Sequence, residues 1–176
     1  VLLQGIGGAG KTATAYHYAL QNHQQYDHVI WTNLQNVADT DKHPSRNHLL
    51  YNSIQLHQDL GITDIWRSEQ DEAQKWAILM RTLKQLKGEV LWIVDNAYEN
   101  DHDTLKAFEP HAQLIITSRH SIGTLRHISI DELQADDAHA LFKKYYTRPD
   151  NADHISELCR GIARHALSIE LLAKTL

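Results

Sequence analysis

A chain of 176 residues with a net charge of −5 can form one domain with a substantial core and is barely long enough to begin a second. It has no basic run, so it lacks the electrostatic footprint of a nucleic-acid binder. No apolar stretch nears a membrane span and no secretory signal is visible. The single cysteine, Cys159, excludes an internal disulfide and fits a reducing compartment, so a cytoplasmic location is expected.

The chain opens at Val1 directly in an apolar strand, "VLLQ", and reads as a segment of a larger protein. After the glycine-rich "GIGGAGKT" of residues 5–12, the run "ATAYHYALQNH" predicts a helix to about His23. "HVIWTNL", residues 28–34, is a second strand, and the polar stretch with Pro44 is a connection. Leu49, Leu50, Ile54, Leu56 and Leu60 recur at helical spacing up to Gly61. Ala73, Trp76, Ala77, Met80, Leu83 and Leu86 predict a second helix, closed by Lys87 and Gly88. "EVLWIVDNA" is the strongest strand, "TLKAFE" a short helix halted at Pro110, "AQLIITS" a further strand and "HISI" a weak one. From Asp136 the pattern is helical. Strands alternating with helices predict an α/β fold, an open parallel sheet covered on both faces, over residues 1–130. The start of a helical subdomain follows over 131–176.

Gly5, Gly7 and Gly10 match the dinucleotide fingerprint G-x-G-x-x-G, whereas Gly5, Gly10, Lys11 and Thr12 match the phosphate loop G-x-x-x-x-G-K-[ST]. The dinucleotide reading needs an acidic residue at the end of the second strand, where "WTNLQN" has none, and it leaves Lys11 and Thr12 without a role. In the triphosphate reading, residues Gly5, Gly7, Gly8, Ala9 and Gly10 wrap the phosphates with backbone N–H groups at a helix N-terminus that continues through Ala13. Lys11 brings a compact positive charge to the β and γ phosphates and Thr12 a hydroxyl ligand for Mg²⁺. A second Mg²⁺ anchor, a carboxylate ending a buried neighbouring strand, is supplied by Asp95 in "VLWIVDN". The thirteen histidines scatter over the chain without H-E-x-x-H or C-x-x-C, so they read as solvated or locally hydrogen-bonded and not as a metal site.

With these pieces placed, the chain resembles the NB-ARC class of STAND nucleotidases over nearly its whole length. "YDHVIWTNL" is similar to the family's second strand, "QLIITSR" to the strand ending in Thr-Ser-Arg, "ISIDELQADDAHALF" to the opening of the helical part, and "CRGIARHALSIELLAKTL" to the G-x-P-L-A helix. The resemblance implies that Arg119 senses the γ phosphate and that Ala166 and Leu167 lie on the adenine side. Ala166 stands where the family has Pro. Asn96 stands where the family often has a second acidic residue, and an amide can orient water but cannot take its proton. The implied function is an ATP- or ADP-binding, Mg²⁺-dependent molecular switch with slow hydrolysis. It would act through other domains of the parent chain and through self-association, with no nucleic acid or membrane as partner. The alternatives are a P-loop small-molecule kinase, for which Arg46, Arg67 and Arg81 form no cluster in the sequence, and a module that binds ADP without turnover.

Overall fold

The computed structural model describes residues 1–34, 49, 58, 60–62, 71–149 and 152–176. Pro44, Arg46, Leu50, Ile54, Leu56 and Arg67 lie outside the described residues. The chain divides into two compact units, Val1–Gln4 with Thr12–Ile128, and Gly5–Lys11 with Ser129–Leu176.

The first unit is built on strands β1 (Leu2–Gln4), β2 (His28–Asn33), β3 (Val90–Asp95), β4 (Gln113–Ser118) and β5 (His127–Ser129), in the order β2-β3-β4-β1-β5. The ladders between β2 and β3, β3 and β4, and β4 and β1 are all parallel. Every residue of β3, an interior strand, is buried, so both faces of the sheet are covered there, which explains the unbroken apolar run of that strand. β2, on the sheet edge, instead alternates, with Ile30 and Thr32 buried and Val29 and Trp31 exposed.

Helix α1 (Lys11–Asn22) buries Ala15 and Ala19, one turn apart. Helix α2 (Glu72–Gln85) starts with a capping box, in which Gln74 N–H donates to Asp71 Oδ1 at 2.8 Å and Asp71 N–H to Gln74 Oε1 at 3.1 Å. It buries Leu79 and Leu83. Beyond it, Gly88 has φ +92°, and a Cβ there would lie 2.0 Å from Asp27 Oδ2. That oxygen accepts from Glu89 N–H at 2.8 Å, so the turn admits no side chain. The core centres on Trp92, whose ring lies 4.5 Å from Phe108 and whose Nε1–H donates to Thr32 Oγ1 at 3.0 Å. Leu49, Leu60 and Ile62 also join this core.

Helix α3 (His102–Lys106) begins and ends earlier than the sequence predicts, well before Pro110. Beyond it the chain goes on in successive i→i−3 turns, Phe108 N–H to Leu105 O and Glu109 N–H to Lys106 O, with Phe108 buried.

The second unit has its own core. Helices α4 (Ala135–Tyr145), α5 (Ala152–Gly161) and α6 (Ala166–Thr175) each bury an i,i+4 pair: Ala138 with Phe142, Ile155 with Cys159, and Ile169 with Ala173. The link from α5 to α6 is strained, because Ala163 and Arg164 both lie in the left-handed region, at φ +51° and +47°. Arg164 N–H donates to Cys159 O at 2.8 Å, so the turn closes the end of α5.

Candidate functional site

In parallel sheets of this kind, ligands gather at the carboxyl ends of the strands. In the first unit that edge holds an unusual carboxylate. Asp95 ends the all-apolar β3 and is only 2% exposed. Its Oδ1 accepts from Thr12 Oγ1 at 2.7 Å and Thr117 Oγ1 at 2.6 Å, while Oδ2 accepts from Asn96 Nδ2 at 3.3 Å. Burying a carboxylate is costly unless its lone pairs are used, and neutral hydroxyls and an amide use these without cancelling the charge. The donor set is hard oxygen throughout, a hydroxyl joined to a carboxylate. This suits Mg²⁺, which takes one or two protein oxygens and completes its shell with water and phosphate. No group of three His, Cys, Asp or Glu able to hold a metal occurs among the described residues.

Strand register explains this convergence. Asn33 pairs with Asp95, and Val94 pairs with Ile116 across the β3–β4 ladder, which sets Asp95 beside Thr117. Thr117 holds the turn after β3 as well, because its Oγ1 accepts from Asn96 N–H at 2.9 Å and its carbonyl from Ala97 N–H at 2.8 Å. Asn96 has φ +62°, a conformation that Asn tolerates better than most residues, and its amide also donates to Asn33 Oδ1 at 3.1 Å. Sequence reading assigned no role to Thr117. Its signal was its place as the first residue of the Thr-Ser-Arg that closes an apolar strand.

Arg119 follows Ser118 at the end of β4. It is exposed and has no hydrogen bond or ion pair with the described residues. Hydrogen bonds therefore bring Thr12, Asp95 and Asn96 together, and Arg119 makes none with them.

The glycine loop, Gly5–Lys11, belongs to the second unit. Gly8 and Gly10 have φ +79° and +108°, and a Cβ on Gly5 would lie 2.3 Å from Ile130 O. Glycine is therefore required on conformational grounds at Gly8 and Gly10 and on steric grounds at Gly5. Ala9 is buried, whereas Gly7 is exposed. Lys11 is 7% exposed, and its ammonium donates to Gly5 O and Ile6 O, each at 2.8 Å. The cation thus sits against the loop's own backbone. Thr12 and Ala13, on the first turn of α1, are exposed.

In the same unit the start of α6 meets the loop: Leu167 N–H donates to Gly8 O at 3.2 Å, and His165 Nε2 lies 2.9 Å from Gly7 O. Ala166 is half-buried and Leu167 exposed. A cleft of about 520 Å³ lies elsewhere, at the amino ends of the strands beside Glu89, Pro110 and His111. It includes none of the loop or Asp95-cluster residues.

The sequence matches no family model, and no curated protein matches it. Its fold is similar to solved structures. One is a signal transduction ATPase with numerous domains (STAND) protein with a tetratricopeptide repeat sensor from Pyrococcus horikoshii, with TM-score 0.67 and 16% identity, covering 98% of this chain. Another is the ORC1 protein of Aeropyrum pernix, solved in complex with DNA, with TM-score 0.61 and 14% identity, covering 99% of this chain. The chain spans only 27% and 53% of those two proteins. At such identities the likeness is one of fold, an α/β domain built on a five-stranded sheet with parallel ladders.

Proposed function

We propose that this chain is the nucleotide-binding part of an NB-ARC-like STAND switch: ATP or ADP with Mg²⁺ occupies the glycine loop, and slow hydrolysis resets the state. The observation that carries the reading is the 2.7 Å bond between Thr12 and Asp95, the two residues assigned from sequence to the metal. In this reading Gly5, Gly7, Gly8, Ala9, Gly10 and Ala13 surround the phosphates and Lys11 exchanges its loop carbonyls for phosphate oxygens. Thr12 and Asp95 would hold Mg²⁺, which supplies charge neutralisation at the phosphates. Arg119, exposed and unpaired with the described residues, is available for a γ phosphate, and Ala166 and Leu167 for the adenine side. Residues 1–130 would form the nucleotide domain and 131–176 the start of the helical subdomain. Other domains of the parent chain and further copies of it are the proposed partners, in the cytoplasm.

Asn96 favours a second reading within the same site, an ADP holder with little or no turnover, because an amide at that position cannot accept the proton of an attacking water. A small-molecule kinase has no comparable support. The ORC1 neighbour was solved with DNA, but a net charge of −5 disfavours a phosphate-backbone partner for this segment. Calorimetric titration with ADP and ATP, with and without Mg²⁺, followed by single-turnover hydrolysis, tests the proposal. Absence of nucleotide binding would overturn it, and binding without hydrolysis would select the second reading.

A further inference from the structure

The peptide between Gly7 and Gly8 is the softest in the loop, since glycine on both sides removes the steric penalty that normally opposes rotation of a peptide plane. Its carbonyl nevertheless has a defined partner, the ring of His165, 158 positions away. His165 is the N-cap of α6, with extended backbone at φ −72°, ψ 121°. A carbonyl oxygen can only accept, so Nε2 carries the hydrogen towards Gly7 O at 2.9 Å. In the neutral ring this leaves a lone pair on Nδ1, which accepts from Ser168 N–H at 3.4 Å and lies 2.9 Å from Ser168 Oγ. One imidazole therefore caps the helix with one nitrogen and holds the loop with the other.

We propose that His165 is a positioning residue that fixes the plane of the Gly7–Gly8 peptide, and with it the direction of the Gly8 N–H. In a trans peptide the N–H points opposite to the carbonyl, so turning Gly7 O towards the start of α6 turns Gly8 N–H away from it. In the phosphate-loop reading, on which this inference rests, the loop N–H groups are the anion-binding donors, so fixing this peptide plane fixes the aim of one of them. The approach is close: a Cβ on Gly8 would lie 2.8 Å from both His165 Cε1 and Leu167 Cβ. The neighbouring carbonyl, Gly8 O, is taken by Leu167 N–H, so α6 grips consecutive peptides. The helix can thereby transmit its position to the loop, because loss of the ring contact frees the one peptide that glycine leaves unrestrained.

Two substitutions in the full chain separate the ring's two tasks. His165→Asn keeps a good N-cap acceptor but is too short to reach Gly7 O; His165→Gln can reach it with an amide N–H but caps poorly. The account expects His165→Asn to leave the melting temperature near wild type, to broaden the Gly8 amide resonance through exchange, and to weaken ADP binding about fivefold, the worth of one ordinary hydrogen bond. His165→Gln should lower the melting temperature and largely retain affinity. An unperturbed Gly8 amide in His165→Asn, or a greater loss of affinity in His165→Gln, would overturn the proposal. The amide arm needs no nucleotide, so it decides the role of His165 even if wild type and Lys11→Ala both fail to bind ADP. That last result would overturn the nucleotide reading itself.

Discussion

The hydroxyl of Thr12 donates to the buried carboxylate of Asp95 across 2.7 Å, joining the first turn of α1 to the end of β3 from 83 positions away. Neither residue needs the other for secondary structure. Their contact gathers two oxygen ligands of the kind Mg²⁺ takes, and Thr117 fixes the same carboxylate oxygen from β4 at 2.6 Å. Asp95→Asn should therefore remove the gain in ATP affinity that Mg²⁺ provides and spare metal-free ADP binding. Thr117→Val, which removes the supporting hydroxyl, should lower Mg²⁺ affinity by about 10- to 100-fold. Titrations with and without Mg²⁺ measure both. Equal losses under the two conditions would make this cluster a feature of the fold alone.

Arg119 is exposed and unpaired with the described residues, so Arg119→Ala should change stability by no more than about 0.5 kcal/mol. If it senses the γ phosphate, its loss should weaken a non-hydrolysable ATP analogue by about 1.5–3 kcal/mol and leave ADP nearly untouched. A state-selective contact is what a switch needs, because a ligand with equal affinity for both states shifts neither. Parallel losses for the two nucleotides would remove Arg119 from that role.

Ala163 and Arg164 hold consecutive left-handed conformations, which cost an L-residue roughly 1–2 kcal/mol each. Ala163→Gly relieves one of them, offset by about 0.4–1 kcal/mol from the greater freedom of glycine in the unfolded chain. A rise in melting temperature of about 2 °C is expected by thermal denaturation. A fall would show that this turn is not strained as described.

Cys159 is buried in the helical unit, and burial pushes its thiol above the usual range. At neutral pH a thiol reagent should label it slowly in the native protein and completely in denaturant. Rapid native labelling would contradict the packing of α4, α5 and α6 around it.

Much of this fold was legible because local pattern and burial agree. The apolar run of β3 ending in Asp95, the three-and-four spacing of α2 and the helical end of the chain all follow from periodicity, and glycine and lysine chemistry marked the loop. Contacts that depend on strand order were not legible. Thr117 reaches Asp95 only because β4 lies beside β3, a relationship that no local window contains. His165 was hidden for a similar reason: its residue type suggested one more scattered histidine, and only the fold brings it to Gly7. The early end of α3 was missed because Pro110 offered an obvious stop, whereas the α-helix had already given way to i→i−3 turns at Phe108 and Glu109.

The most direct measurement is the ADP-induced shift in melting temperature for wild type and Lys11→Ala. A ligand bound only by the folded state stabilises it by about 2.7 kcal/mol at a hundredfold excess over Kd. For a chain of this size that corresponds to roughly 5–10 °C. Lys11 holds Gly5 O and Ile6 O at 2.8 Å each, so its replacement should also loosen the loop without ligand, and each protein must be compared with its own nucleotide-free state. The account predicts the full shift in wild type and little or none in Lys11→Ala. No shift in wild type, or an equal shift in both, would contradict it.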